Sequence, residues 1–165
     1  MKKFVKKHPE LISFIVKLGC FVLVLFLIFH VIFGVSTVTT DGMEPNISFH
    51  STVLYSKFID SIYLKEVVVY ERDGKQYIGR VVGTPGDHIQ VKDNGCIYQN
   101  GHLIYEDNIY IVADLSTESD VTLGNDEYYI LCDNRKIIDD SRTLGAIKRD
   151  EIVGTVVLVV DRYNI

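Results

Sequence analysis

Three stretches of the chain hold the residue types and spacings that could do chemistry. "DGMEPNI", residues 41–47, puts a Met-x-Pro turn directly after a long apolar run. Such a turn at the foot of a membrane anchor points to chemistry on a peptide close to the bilayer, with the nucleophile expected just before Met43. That residue is Gly42. "YIGRVVGTPGDHIQV", residues 77–91, is followed by "GCIYQNGHLIYE", and "YYILCDNRKIIDDSRTLGAI", residues 128–147, by "IVG". Other reactive groups are scattered. Asp41 reads as a turn or cap carboxylate, and Cys132, inside an apolar run, as a buried inert thiol. Lys75, in "RDGKQ", reads as a solvated hairpin-turn charge. His50, His88 and His102 lack the mutual spacing of a metal site, and no nucleotide or phosphate-loop motif is present, "GTPGD" being a turn. No metal and no cofactor are expected.

The elements that must position these stretches begin with an anchor. From Leu18 to Val35 the one strongly polar side chain is His30. At about 1.5 Å per residue this run covers roughly 27 Å, and Leu11 to Val16 extend it across a bilayer of about 30 Å. Lys17 lies toward one end, where its ammonium can snorkel to the headgroups. The run is longer than a signal-peptide core, and no small-x-small cleavage site clearly follows it. Lys2, Lys3, Lys6 and Lys7 precede it, whereas "GVSTVTTDGMEPN" after it carries no Lys or Arg. The positive-inside rule therefore predicts a cytoplasmic segment 1–10, a single transmembrane helix over 11–35 and an extracytoplasmic domain over 36–165.

The chain of 165 residues has a formal net charge of −5. Since five of its basic residues precede Val35, the outer part is distinctly acidic. An acidic face argues against nucleic acid and against electrostatic adhesion to anionic lipid. Cys20 lies in the anchor. Cys96 and Cys132 lie outside, where a disulfide or two separate thiols are both compatible with the compartment.

From Ser51 onward apolar residues come in short runs rich in Val, Ile and Tyr, such as "STVLYSKF", "EVVVYER" and "IVGTVVLVV". Turn signals divide them: "RDGK", "TPGD", "KDNG", "QNGH", "TLGND". Gly accepts the positive φ that tight hairpins need. No outer segment sustains a 3.6-residue apolar period, so helices there should be short. The expected fold is mostly β: an antiparallel domain of coiled sheets behind an N-terminal transmembrane helix. The more polar residues 93–122 form a smaller subdomain or cap in this reading.

In this order and spacing the three stretches resemble type I signal peptidases, membrane-anchored Ser/Lys proteases that remove secretory leader peptides. The resemblance runs from the anchor to about Val160, with "RVVGTPGD" and "DNR…DSR…G" its specific part. It places the family's nucleophilic Ser at Gly42, its general-base Lys at Gly79 and the Ser that orients the base at Ile138. Met43, Pro45, Arg80, Asp133, Asn134, Arg135, Asp140, Ser141 and Arg142 match the family pattern, while Cys132 stands at a usual Gly. Acyl transfer needs an oxygen nucleophile beside a neutral amine, and a desolvated lysine supplies the amine. Glycine supplies neither, and losing such groups costs about 10⁴ to 10⁶ in rate.

The matched polar residues read better as a scaffold of paired charges under the groove than as catalytic groups. Gly83, Pro85 and Gly86 hold backbone geometry. The resemblance thus implies a non-catalytic homologue that keeps a peptide-binding groove. It further resembles the degenerate subgroup associated with pilus assembly in Gram-positive bacteria, which makes a pilin or sortase the leading partner. Two other readings stay open: an active leader peptidase with a different dyad, and an anchored β-domain whose groove is vestigial.

Overall fold

The computed structural model describes residues 9–92, 96–106 and 118–161. The chain divides into two compact units, Met1–Phe33 and Gly34–Ile165. The first is built on helix α1, Pro9–Ile32. Residues Glu10–Ile32 are long and apolar enough to cross a membrane, and the large apolar side chains along them are exposed. The helix stops three residues short of the expected Val35. Phe33–Thr37 is instead strand β1, consistent with a glycine and the β-branched Val35 and Thr37 disfavouring helix. Gly34 is required there by close approach: a Cβ would overlap the Tyr55 ring.

The second unit is mostly β, as its alternating apolar runs predict. Its main sheet holds β1, β2 (Thr52–Ser56), β3 (Val67–Arg72), β4 (Lys75–Gly83), β9 (Glu127–Leu131), β10 (Ile147–Lys148) and β11 (Ile152–Val160). The order is β1-β2-β11-β3-β4-β9-β10. The last strand thus enters the middle of the sheet, antiparallel to both β2 and β3. A second sheet, in the order β7-β6-β5-β8, is built from β5 (His88–Val91), β6 (Ile97–Gln99), β7 (His102–Leu103) and β8 (Ser119–Thr122). It begins at His88, before the expected subdomain limit of 93, because "TPGD" turns the chain out of β4 straight into β5. Part of that expected subdomain, 93–95 and 107–117, lies outside the described residues. The outer helix α2, Ser141–Leu144, is a single turn, as the lack of helical periodicity anticipated.

Strand alternation splits the core across the faces of the main sheet. Val68, Tyr70, Val81, Tyr128 and Ile130 form one cluster, while Val82, Tyr129 and Leu131 join Ile89, Val91 and Ile97 of the second sheet in another. A third packs Met43 and Ile47 against Val38, Val53, Tyr55 and Val69. β3 and β4 form a tight hairpin, Val67 opposite Arg80 through Arg72 opposite Lys75. This ladder sets Gly79 across from Val68 and sends Arg80 to the other face.

Candidate functional site

Gly42 sits in a one-turn 3₁₀ helix, Asp41–Met43. Its cap is the Thr40 hydroxyl, which accepts from the Gly42 N–H at 3.4 Å; the Asp41 carboxylate is not the capping group. Met43 is 1 % exposed and roots the turn in the third core cluster, and the Glu44–Pro45 peptide bond is cis. The third motif holds the turn from beneath. The Asn134 N–H donates to the Gly42 carbonyl at 2.9 Å and its Nδ2 to the Asp41 carbonyl at 3.2 Å.

Gly79 lies in β4, far from Gly42 in sequence, yet both glycines face strand β9 and its continuation. A Cβ at position 42 would stand 3.1 Å from Cys132 Sγ; one at position 79 would stand 2.6 Å from Ile130 Cγ2 and 3.2 Å from the Leu131 carbonyl oxygen. Ile130 and Cys132 are two residues apart and share a face. The two directions therefore converge. Ile138 does not join them: it is 41 % exposed, and its carbonyl accepts from Thr143 Oγ1 at 2.6 Å.

Beside this point runs a groove of about 490 Å³, walled by residues 36–40 and Met43 on one side and 74–78 on the other, with Cys132 and Asp139 completing it. β4 is bonded to β3 from Lys75 to Arg80, whereas its pairing with β9 starts only at Arg80. Backbone groups at 75–79 are thus left without a ladder partner on the groove side among the described residues. The Ser36 hydroxyl spans the groove to Gln76 Oε1 at 2.7 Å.

Comparison with known proteins assigns the chain to a family. The sequence profile of the family described as "Signal peptidase, peptidase S26" matches residues 11–161. The chain belongs to this signal peptidase family. It is 29 % identical over 153 residues to signal peptidase I of Bacillus amyloliquefaciens, covering 84 % of this chain and 81 % of the relative. It is 28 % identical over 169 residues to signal peptidase IB of Staphylococcus aureus (strain Mu50 / ATCC 700699), covering 89 % of this chain and 87 % of the relative. A solved signal peptidase I from Enterococcus faecalis V583 aligns with TM-score 0.49 and 24 % identity, over 61 % of this chain and 100 % of that one.

In this signal peptidase homologue the third motif is a buried electrostatic scaffold. The Asp140 carboxylate accepts from the Cys132 N–H at 2.9 Å and from Arg142 N, Nε and Nη2 at 3.0, 2.9 and 2.6 Å. Both side chains of that pair are completely buried. Arg142 also donates to the Arg135 and Ile137 carbonyls. Arg135 reaches the Cys132 carbonyl and Glu106, and Ser141 Oγ accepts from the Ile130 N–H. On the far face of β4, Arg80 forms a two-pronged pair with Asp133 at 2.7 and 2.5 Å, and Asn46 donates to the same carboxylate. The hydrogen bond to Asp133 holds the Arg80 guanidinium above its already high pKa.

Groups lining the groove are poorly equipped for proton transfer. Burial, reinforced by the Asp140 charge, pushes the Cys132 thiol far above its ordinary range, leaving it protonated at neutral pH; it forms no disulfide with Cys96. Lys75 is the solvated charge expected, its side chain 56 % exposed, and it also lines the groove. Its ammonium is 3.3 Å from Asp139 and 4.7 Å from the Tyr77 ring centroid. Bonding to Asp139 raises its pKa, the opposite of what a general base needs.

The sequence reading missed Tyr70. It is 0 % exposed and stacks on Tyr77 with centroids 5.3 Å apart. Its hydroxyl has no hydrogen-bond partner among the described residues, and burial and then the proximity of Cys132 and Asp140 raise its pKa strongly. Alternation in "VVVYER" could have flagged it, since Tyr70 shares the face of Val68, the residue opposite Gly79. The histidines are dispersed, His88 bonding Asp120 at 2.7 Å, and among the described residues no His/Cys/Asp/Glu group could hold a metal.

Proposed function

We propose that this chain is a non-catalytic signal peptidase homologue that holds an extended peptide in its groove at the outer face of the membrane, as an assembly factor for surface polymers, with a pilin or sortase as partner. One observation carries the reading. The positions assigned to nucleophile and base are both glycines, and they converge on one strand face beside an intact groove. The partner class follows from the resemblance to the pilus-associated subgroup. The unladdered edge at 75–79 suits a peptide adding as a strand, with hydroxyls and apolar side chains of the walls reading alternate residues. The lysine-rich segment before the helix supports an inside N-terminus and an outside domain.

Full-length protein in detergent should bind an extended apolar leader peptide without cleaving it. Thr39→Trp, at an exposed groove-wall position, should abolish binding without unfolding the domain. Turnover of the peptide would replace this reading with that of an active leader peptidase, the activity named for the relatives, through a different dyad. Protease added to intact protoplasts should digest the domain; complete protection would reverse the topology.

A further inference from the structure

Behind the groove, on the opposite face of β4, lies a second cavity that the dyad positions do not touch. It encloses about 230 Å³, and its wall includes Leu64, Lys65, Arg80, Val82, Ile104 and Glu106. Alternation along the strand separates the two sites: Gly79 faces Ile130, so Arg80 and Val82 turn the other way.

The charges of this cavity leave a positive remainder. Asp133 is fully buried and neutralised by Arg80, and the Glu106 carboxylate is engaged by Arg135 at 2.6 Å. Arg80 spends Nε and one N–H of Nη2 on Asp133, and one N–H of Nη1 on the Lys65 carbonyl at 2.8 Å. Each terminal nitrogen keeps one N–H, on a side chain 22 % exposed. The Lys65 ammonium has no salt-bridge partner among the described residues and adds a full positive charge at the rim. In a chain of net charge −5, such a remainder is a local exception.

The rim is also held in place. The Lys65 N–H donates to the Val81 carbonyl at 2.8 Å, and the Val81 N–H to the Glu66 carbonyl at 2.9 Å. Lys65 adopts φ +71°, a left-handed conformation that glycine or asparagine fills with less strain. The fold keeps a cation at this conformationally expensive place. Beside the two cations, Leu64, Val82 and Ile104 supply an apolar wall too small for a drug-sized ligand but adequate for one branched aliphatic group.

We propose that this cavity binds a carboxylate carried on a short branched apolar stem, Arg80 and Lys65 holding the carboxylate and Leu64, Val82 and Ile104 the stem. Two sources share that chemistry, the C-terminal residue of a peptide and a free short-chain acid. Arg80 offers the carboxylate its two remaining N–H groups, one on each terminal nitrogen, as charge-assisted donors.

Calorimetric titration of full-length protein in lipid nanodiscs tests this with N-acetyl-L-leucine, N-acetyl-L-leucinamide and 4-methylpentanoate. The leucine acid should bind, and the amide should bind at least about tenfold more weakly, the loss expected from one charge-assisted contact. Lys65→Glu, at an exposed position, and Leu64→Trp, which fills the cavity, should each weaken the acid about tenfold or more while leaving Tm unchanged. Equal binding of 4-methylpentanoate identifies a free acid as the ligand class, and much weaker binding a peptide C-terminus. Equal affinity for acid and amide, competition by inorganic phosphate as strong as by the acid, or indifference to Lys65→Glu would overturn the proposal. So would loss of acid binding in Thr39→Trp, which would put the acid in the peptide groove instead.

Discussion

At positions 42 and 79 the chain presents bare backbone, while from Cys132 to Arg142, directly beneath, charged side chains are packed out of water. The contrast shows how differently two parts of one site depend on their side chains. A serine or lysine absent from the groove leaves no uncompensated charge behind. Absence of either partner of the Asp140–Arg142 pair would strand a buried ion, at about 3–5 kcal/mol. Stability alone is enough to retain the scaffold. Its presence is therefore weak evidence for catalysis, and the glycines at the two positions proposed for the dyad are the more informative half of the comparison.

The strongest test of that asymmetry is Asp140→Ala. Asp140 satisfies Arg142 and the Cys132 N–H, with both ionic side chains fully buried. The variant should lose about 3–5 kcal/mol, read as a large fall in the denaturant midpoint or as failure to fold. Arg142→Met should behave alike. Unchanged stability in both would mean that the scaffold is dispensable to the fold and needs a functional explanation.

Placing serine and lysine at the positions proposed for the dyad should have a smaller effect. A Cβ at 79 would stand 2.6 Å from Ile130 Cγ2, and that methyl is fixed to a β-branched carbon with little freedom to swing aside. Gly79→Lys should therefore overpack the site by about 1–3 kcal/mol, and Ile130→Ala should recover part of the loss. Gly42→Ser meets Cys132 Sγ at 3.1 Å and Thr40 Oγ1 at 3.3 Å, both looser contacts, and should be milder. Leader-peptide cleavage should stay absent in each single variant and emerge only with serine and lysine together on the Ile130→Ala background. Ile138→Ser should add little, because position 138 lies on an exposed loop. A clear gain from it would mean that the loop folds inward when a lysine is present.

How much of this site was legible beforehand depends on the range of the interaction. Strands, tight turns and the single-turn outer helix follow from local patterns of period two and from glycine-containing turns, and the structure keeps them. The convergence of Gly42 and Gly79 needed a resemblance to suggest it, since no local pattern links them. Long-range packing was invisible. Nothing in "EVVVYER" says that Tyr70 will bury its hydroxyl near Cys132, nor does "IVGTVVLVV" say that the last strand enters mid-sheet. The end of α1 was misjudged for a related reason: Phe33 and Val35 are as apolar as the helix before them, and pairing of their strand with β2 decides their state. The cavity behind β4 escaped because its cations come from a loop and a strand that only the folded sheet brings together.

The smallest expected effect concerns the partner face of β3 and offers a control on the buried network. Arg72 grips Glu151 through Nε at 2.7 Å and Nη2 at 2.6 Å, and also bonds the Leu144 and Ala146 carbonyls. The hydrogen bond from Arg72 holds the Glu151 carboxyl below its ordinary value of 4.5. A depressed folded-state pKa means that the ionised form is favoured by folding. Its contribution is fully present above the unfolded value and is lost as pH falls through the folded one. Glu151→Gln should therefore lower stability at pH 7 and make progressively less difference below pH 4.5. This pair is about one-fifth exposed on each side, so solvent screening keeps the effect well under that of Asp140→Ala, and raised salt should shrink it further. Urea titrations of both variants at pH 7 and pH 3.5 would rank them. A Glu151→Gln loss equal to that of Asp140→Ala, or one that persists undiminished in acid, would show that burial is not what separates the two pairs.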